Sequence, residues 1–235
     1  MSHMKQLALD IGLAPVPTLA RFFPGPNEAV LQHLRLAVES DDGGALRAAV
    51  PMYLWGESGC GKTHLLKAVR EALRERGLAV GWLDASSAQP PAFEESWAAV
   101  LLDDVHLYTC AQQAMAFNWF VNATSPATGA RRWVLAAGEL PPSDLKLRDD
   151  LRTRLGWGEI YQLHLLTEEQ RRGVLKDEAQ QRGLTLPDDV MDYMLKRFSR
   201  DLGSLMQLLD HLDNFALRNK RALTIPLLKD MLETE

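Results

Sequence analysis

Cysteine is almost missing from this sequence: Cys60 and Cys110 are the only two in 235 residues. Two thiols are too few for a disulfide scaffold or a zinc cluster, so burial of apolar side chains must hold the fold. No apolar run approaches the roughly 20 residues that span a bilayer. No charged-then-apolar leader opens the chain, and together these two absences lead us to expect a cytoplasmic protein with no membrane partner. Basic charge is not in excess either. The formal net charge is −5, which argues against a generic grip on the phosphate backbone of DNA. Internal repeats and low-complexity blocks are also lacking. What is abundant is apolar side chain, at 46% of residues, enough for one large domain or two modest ones.

The order of patterns along the chain predicts its organisation. The first three residues, before Met4, read as an expression-tag remnant and are set aside. Residues 4–22 read as a tail. Helical apolar spacing runs over 27–40 through Val30, Leu31, Leu34 and Val38, and "DDGG" at 41–44 breaks it. Short strand-like runs lie at 50–55, 79–84, 98–104, 132–137 and 159–165. Helical stretches fall between them at 62–76 and 110–123. Alternation of this kind predicts an α/β base over 23–163: a parallel sheet with helices on both faces. The text then changes. Four helical patterns at 167–183, 187–198, 202–217 and 225–232 predict a small all-helical domain over 164–235. Its Met and Leu stripes, such as Val190, Met191, Met194 and Leu195, read as packing.

"GESGCGKT", residues 56–63, matches G-x-x-x-x-G-K-[ST] in full and stands between a predicted strand and a predicted helix. Gly56, Gly59 and Gly61 permit the backbone to curl N–H groups around phosphate oxygens. The helix N-terminus favours an anion. Lys62 is expected to reach the outer phosphates, and Thr63 to offer its hydroxyl to Mg²⁺. An accidental glycine turn is the bland alternative, which motif and context together disfavour. Cys60 inside the loop is either a thiol tuned by the helix N-terminus or a small loop residue. His64 reads as a helix-face residue.

A P-loop needs a metal and water partner at another strand end. "VLLDD", 100–104, supplies Asp103 for Mg²⁺ and Asp104 to orient or deprotonate the attacking water. An Asp-Asp turn of no chemical significance is the competing reading. His106 and Tyr108 nearby read as structural.

"QLALDI", 6–11, alternates with period two at a chain start, with no second strand beside it. Such a terminal run frays unless something holds it.

Taken together, the P-loop, the Asp-Asp strand end, "LRTRLGWG" at 151–158 and a helical lid resemble the ATPase module of the bacterial replication initiator family, DnaA. Closer still is the Hda family of short initiator homologues, through the tail, "FFPG", "LAAGELPP" and "RLGWGEIYQL". The resemblance implies a P-loop AAA+ fold, bound ADP or ATP, and Mg²⁺. The chain reaches its end at Glu235 without the initiator's helix-turn-helix domain, so no direct sequence-specific DNA binding is expected. In that family the tail motif, Gln-Leu-x-Leu-x-hydrophobe, binds the β sliding clamp of the replicative polymerase. Gln6, Leu7, Leu9 and Ile11 fit it, with Leu9 and Ile11 as buried anchors and Gln6 at the pocket rim. Whether the tail also drives homo-oligomerisation stays open.

Further roles follow from the resemblance alone. Arg154 matches the initiator's arginine finger and is expected to act in trans on ATP held by a DnaA subunit. Arg152 is a second candidate, and Trp157 reads as a structural corner. Asn27 is expected near the adenine. Gly203 stands where the initiator's lid carries an arginine, and Arg200 lies on a different helical face. Ala137 lacks the hydroxyl common at that strand end, leaving Glu139 as the polar group. Weak intrinsic ATPase activity is therefore expected. The function implied is negative regulation of replication initiation through clamp-dependent hydrolysis of initiator-bound ATP. The alternatives are a helicase-loading adaptor, a nucleotide-binding scaffold, and an autonomous ATPase or kinase.

Overall fold

The computed structural model describes residues 16–39, 50–126, 129–198 and 202–234. Gln6, Leu7, Leu9, Ile11 and Arg200 lie outside these residues. The chain divides into two units, one spanning 16–165 and the other containing 166–235.

The first unit is built on five parallel strands: β1 (Met52–Trp55), β2 (Ala79–Leu83), β3 (Trp97–Leu102), β4 (Trp133–Gly138) and β5 (Glu159–Gln162). Their spatial order is β2-β3-β4-β1-β5. Four helices flank the sheet: α1 (Glu28–Glu39), α2 (Lys62–Glu75), α3 (Cys110–Thr124) and α4 (Asp149–Leu155). Side chains alternate across a strand, and here both resulting faces are apolar. Met52, Leu54, Leu101 and Leu135 face one way and pack with Leu31 and Leu34 of α1 and Leu65 and Val69 of α2. Tyr53, Val100, Leu102 and Val134 face the other way, against Trp119 and Phe120 of α3 and Leu151 and Leu155 of α4. Parallel strands covered on both sides read as continuous apolar runs. That is why "VLL" and "WVLAA" carry no polar residue until their carboxyl ends.

Local chemistry sets the element ends. Thr109 and Gln112 form a reciprocal capping box at the start of α3, which satisfies two otherwise orphaned N–H groups. Gln112 also donates to the carbonyls of Ala85 and Ser87 at 3.1 and 3.0 Å, tying α3 to the loop after β2. In that loop, hydrogen bonds from Ser86, Trp82 and Ser87 outweigh partial burial and bring the Asp84 carboxyl down to about 2. The same capping box recurs at Thr167 and Gln170.

Three parts of the base differ from the sequence expectation. Residues 16–22, assigned to the tail, pack on the base, with Leu19 and Phe22 against the α1/α2 side of the core. The second difference is α4, which no apolar periodicity announced. It has two acids, Asp149 and Asp150, in its first turn and two arginines, Arg152 and Arg154, in its last. Those charges complement the helix dipole and are the signal that would have found it. β5 also ends three residues early, although Leu163 N–H still donates to Trp55 carbonyl at 2.7 Å.

The second unit holds α5 (Glu168–Gln181), α6 (Asp188–Arg197), α7 (Leu202–Asn219) and α8 (Ile225–Thr234). Leu175, Met191, Met194, Leu209, Leu228 and Met231 share its own core. No described helix is long and apolar enough to cross a membrane.

Gly158 fixes the passage from α4 into β5. Its φ is +86°, and a Cβ there would stand 2.2 Å from the Pro51 carbonyl oxygen. Strain of backbone and clash act together at this position. We expect Gly158→Ala to lower stability by about 2–4 kcal/mol, read as a reduced urea midpoint. An unchanged midpoint would refute the argument.

Candidate functional site

The strand order brings the carboxyl ends of β3, β4, β1 and β5 side by side, which is where open α/β sheets bind ligands. After β1 the chain turns through Gly56, Gly59 and Gly61, with φ of +155°, +84° and +99°. Gly56 has a second constraint, since a Cβ would meet the Leu163 carbonyl oxygen at 2.3 Å. Gly61 caps α2 in the left-handed conformation. The Lys62 side chain folds back into the loop and is 7% exposed. Its ammonium donates to the carbonyls of Gly56 at 2.6 Å and Glu57 at 3.0 Å, and lies 3.6 Å from Cys60 Sγ. Glycines in left-handed conformations, a helix N-terminus and an inward-turned ammonium fit a polyphosphate.

Burial pushes the Cys60 thiol up, against the opposing pull of Lys62. That favours the small-loop-residue reading over a tuned thiolate, because burial dominates the helix-end effect.

Asp103 follows β3 and is 3% exposed, with the Thr63 side chain near enough to favour its charged form. Burial raises its carboxyl above the ordinary value, Thr63 opposes that rise, and the neighbouring Asp104 adds to it. So Thr63 at the start of α2 and Asp103 after β3, placed apart in sequence, come within electrostatic reach of each other. Among the described residues no group of three or more His, Cys, Asp or Glu could hold a metal ion. A Mg²⁺ here would rest on Thr63 and Asp103, with phosphate and water oxygens completing its preferred six. Asp104 takes φ +50°, and its N–H donates to Asp103 Oδ1 at 3.1 Å. This turn directs the two carboxylates differently.

Glu139 follows β4 and approaches His106 Nε2 at 3.5 Å. His106, read from sequence as structural, thus joins the ends of β3 and β4. Tyr108 is structural: its hydroxyl donates to the Leu83 carbonyl at 2.7 Å. Ala137 is fully buried in β4.

Asn27 is buried, and both ends of its amide are engaged by backbone. Its Nδ2 donates to the His164 carbonyl at 2.9 Å, and its Oδ1 accepts from the His164 N–H at 2.8 Å. This pair latches the segment after β5 beside Leu163, whose carbonyl abuts Gly56. Sequence reasoning also missed Phe22. Its ring edge stands 2.7 Å from where a Gly61 Cβ would be, and its centroid lies 5.7 Å from that of His64. The Thr18 carbonyl is 3.3 Å from His64 Nε2. Residues 16–22 therefore strap the phosphate loop, and only the contact with a Cβ-free glycine could have signalled it.

On α4 the arginines differ in state. Arg152 pairs with Asp149 at 2.8 Å, and Arg148, just before the helix, pairs with Asp150 at 2.7 Å. Arg154 meets no carboxylate among the described residues; its guanidinium carbon lies 4.2 Å from the centroid of Trp157. The corner role expected of Trp157 belongs to Gly158, and the indole itself is 51% exposed. In the second unit, Gly203 is exposed in the first turn of α7.

Residues 13–87 match the family described as the bacterial DnaA ATPase domain, and residues 168–232 match the family described as the Hda lid domain. The chain is similar in structure to AMPPCP-bound DnaA from Aquifex aeolicus, at 23% identity and TM-score 0.66, covering 86% of this chain and 67% of that one. It is similar to domain III of the replication initiation protein DnaA from Thermotoga maritima, at 19% identity and TM-score 0.68, covering 95% and 98%. A point mutant of RuvB from Thermotoga maritima matches at 18% identity and TM-score 0.61, covering 94% and 73%. At these identities the structural likenesses speak to the fold.

The buried Asp103 sets function against stability. Its folded-state pKa is raised, so its ionised form destabilises the fold once pH exceeds that value, and the penalty vanishes below the unfolded value of about 3.9. We expect Asp103→Asn to melt higher than the native chain at pH 8 without nucleotide, and equally near pH 3.5. The same variant should lose the added stabilisation from Mg²⁺-nucleotide. A variant that melts lower at pH 8 contradicts this account.

Proposed function

We propose that this chain, whose residues 13–87 match the bacterial DnaA ATPase domain and 168–232 the Hda lid domain, is a nucleotide-binding negative regulator of replication initiation. Arg154 enters the ATP site of a DnaA subunit, while Gln6, Leu7, Leu9 and Ile11 engage the DNA-loaded sliding clamp. The observation that carries this reading is the charge state of α4. Of the three arginines at 148, 152 and 154, the one at the finger position meets no carboxylate among the described residues.

The chemistry asked of Arg154 is electrostatic. In hydrolysis the water oxygen bonds to the γ-phosphorus and the bond to the β–γ bridging oxygen breaks, leaving ADP and phosphate. Negative charge grows on the transferred group. A guanidinium brings fixed charge and a rigid fork of donors to those oxygens. A finger supplied in trans contributes about 10³–10⁵ in rate. Arg152, held by Asp149, is not the finger.

The chain's own nucleotide, ADP or ATP, is bound by Gly56, Gly59, Gly61 and Lys62, with Thr63 and Asp103 toward Mg²⁺. Asn27 contributes by holding the segment beside the loop, and Glu139 lies toward the phosphates from β4. Asp104 is placed to orient water. Ala137 offers no hydroxyl at the end of β4, so this nucleotide turns over slowly and serves the fold.

The test is hydrolysis of initiator-bound ATP in the presence of DNA-loaded clamp. We expect the native chain to accelerate it, and Arg154→Ala to lose roughly 10³-fold or more of that acceleration. A Gln6→Ala/Leu9→Ala double variant should lose the clamp-dependent part while still binding nucleotide. Equal behaviour of all three would transfer support to the helicase-loading or scaffold readings.

A further inference from the structure

Arg154 has a candidate partner at helical spacing that it does not use. Asp150 lies four residues before it on α4, the spacing and polarity at which an acid and an arginine pair on a helix face. Asp150 instead accepts from Arg148 at 2.7 Å and from the Leu151 N–H at 2.7 Å. Arg154 lies over Trp157.

That indole has no packing reason to be where it is. It belongs to none of the three apolar cores and is 51% exposed. Its backbone is nonetheless fixed on both sides. Trp157 N–H donates to the Arg154 carbonyl at 3.0 Å, and Glu159 N–H donates to the Pro51 carbonyl at 2.9 Å. Between them Gly158 makes the turn that its φ of +86° requires. The ring is thereby held under the guanidinium by the backbone, not by a pocket. A cation over an indole face has no adjacent anion to offset its field, whereas one paired with a carboxylate does.

Resting on the finger reading above, we infer that Trp157 is a positioning residue that keeps Arg154 off Asp150 and its charge unneutralised. Arg148 assists by occupying the competing carboxylate. Removal of the ring leaves the Asp150 carboxylate as the nearest alternative, and the finger folds back along its own helix.

The inference separates from the finger reading in one set of assays. Stimulated hydrolysis of initiator-bound ATP is titrated with native chain, Arg154→Ala, Trp157→Ala, Trp157→Phe and Asp150→Asn/Trp157→Ala. Trp157→Ala should lower the maximal rate about 3- to 30-fold, the range that losing one partly exposed cation–π contact implies. The half-saturating concentration should stay unchanged. Trp157→Phe should recover most of the rate, and so should Asp150→Asn in the Trp157→Ala background. Trp157→Ala should add nothing to Arg154→Ala. By NMR, the Arg154 Nε–H of the chain alone should resonate upfield from ring shielding and lose that shift in Trp157→Ala, whatever the assay gives. A normal Arg154 shift in the native chain overturns the inference. So does a Trp157→Ala variant with unaltered maximal rate, or one altered only in half-saturation, which would make Trp157 a docking surface. Should Trp157→Ala fail to fold, Trp157→Leu against Trp157→Phe decides the matter, since only the aromatic should sustain the rate. If Arg154→Ala is as active as the native chain, the finger reading itself fails, independently of the NMR result.

Discussion

Burial of the sheet on both faces is the constraint from which the rest of this structure follows. The strands β1, β2, β3 and β4, packed between α1 and α2 on one side and α3 and α4 on the other, carry no charged side chain along their length. An unpaired buried charge costs several kcal/mol, so charged groups are confined to the carboxyl ends. Four such ends then lie adjacent because the strand order is β2-β3-β4-β1-β5. Gly56, Asp103, Glu139 and Leu163, each directly after one of those ends, come to one edge of the sheet for that reason, although they lie far apart along the chain. Asp103 sits at the margin of this rule. It is buried at the end of β3 with Thr63 nearby favouring its charged form, a charge whose cost only a cation would offset in full.

The phosphate loop is shaped from outside as much as by its own glycines. On one side the Leu163 carbonyl abuts Gly56; on the other, the ring of Phe22 abuts Gly61. Asn27 fixes the first of these contacts through its two hydrogen bonds to His164. Residues 16–22 provide the second. Both contacts use the missing Cβ of a glycine, so the glycines serve close packing as well as left-handed turns. The loop is thus tied directly to the segment that leads out of the base and to the one that leads into it.

A different economy of charge governs α4. Four residues of this seven-residue helix are charged, and simple pairing would neutralise all of them. It does not, because Arg148, outside the helix, takes Asp150. One cation is thereby left over, and an aromatic ring meets it. The arithmetic of acids and arginines, together with a fixed turn at Gly158, determines which guanidinium meets an indole and which meets a carboxylate.

Much of this was legible in the sequence. Strong apolar periods announced the sheet strands and the long helices, since burial imposes those periods directly. The P-loop and the Asp-Asp strand end could be read because glycine, lysine and carboxylate have few substitutes for binding phosphate and metal. The α4 helix was not read, because seven residues with only Leu151 and Leu155 buried carry too little periodicity. Nor could the sequence assign Asn27 to a backbone latch, Phe22 to the loop, or Arg154 to an indole and Arg152 to an acid. Those outcomes depend on which groups become neighbours after packing, and on competition among several partners of equal chemical suitability. The sequence by itself determined the elements and the residue types able to do phosphate chemistry. Tertiary structure alone decided which of them are left free to do it, because hydrogen bonds and ion pairs are won by proximity, and proximity here is set by a sheet that reorders the strands.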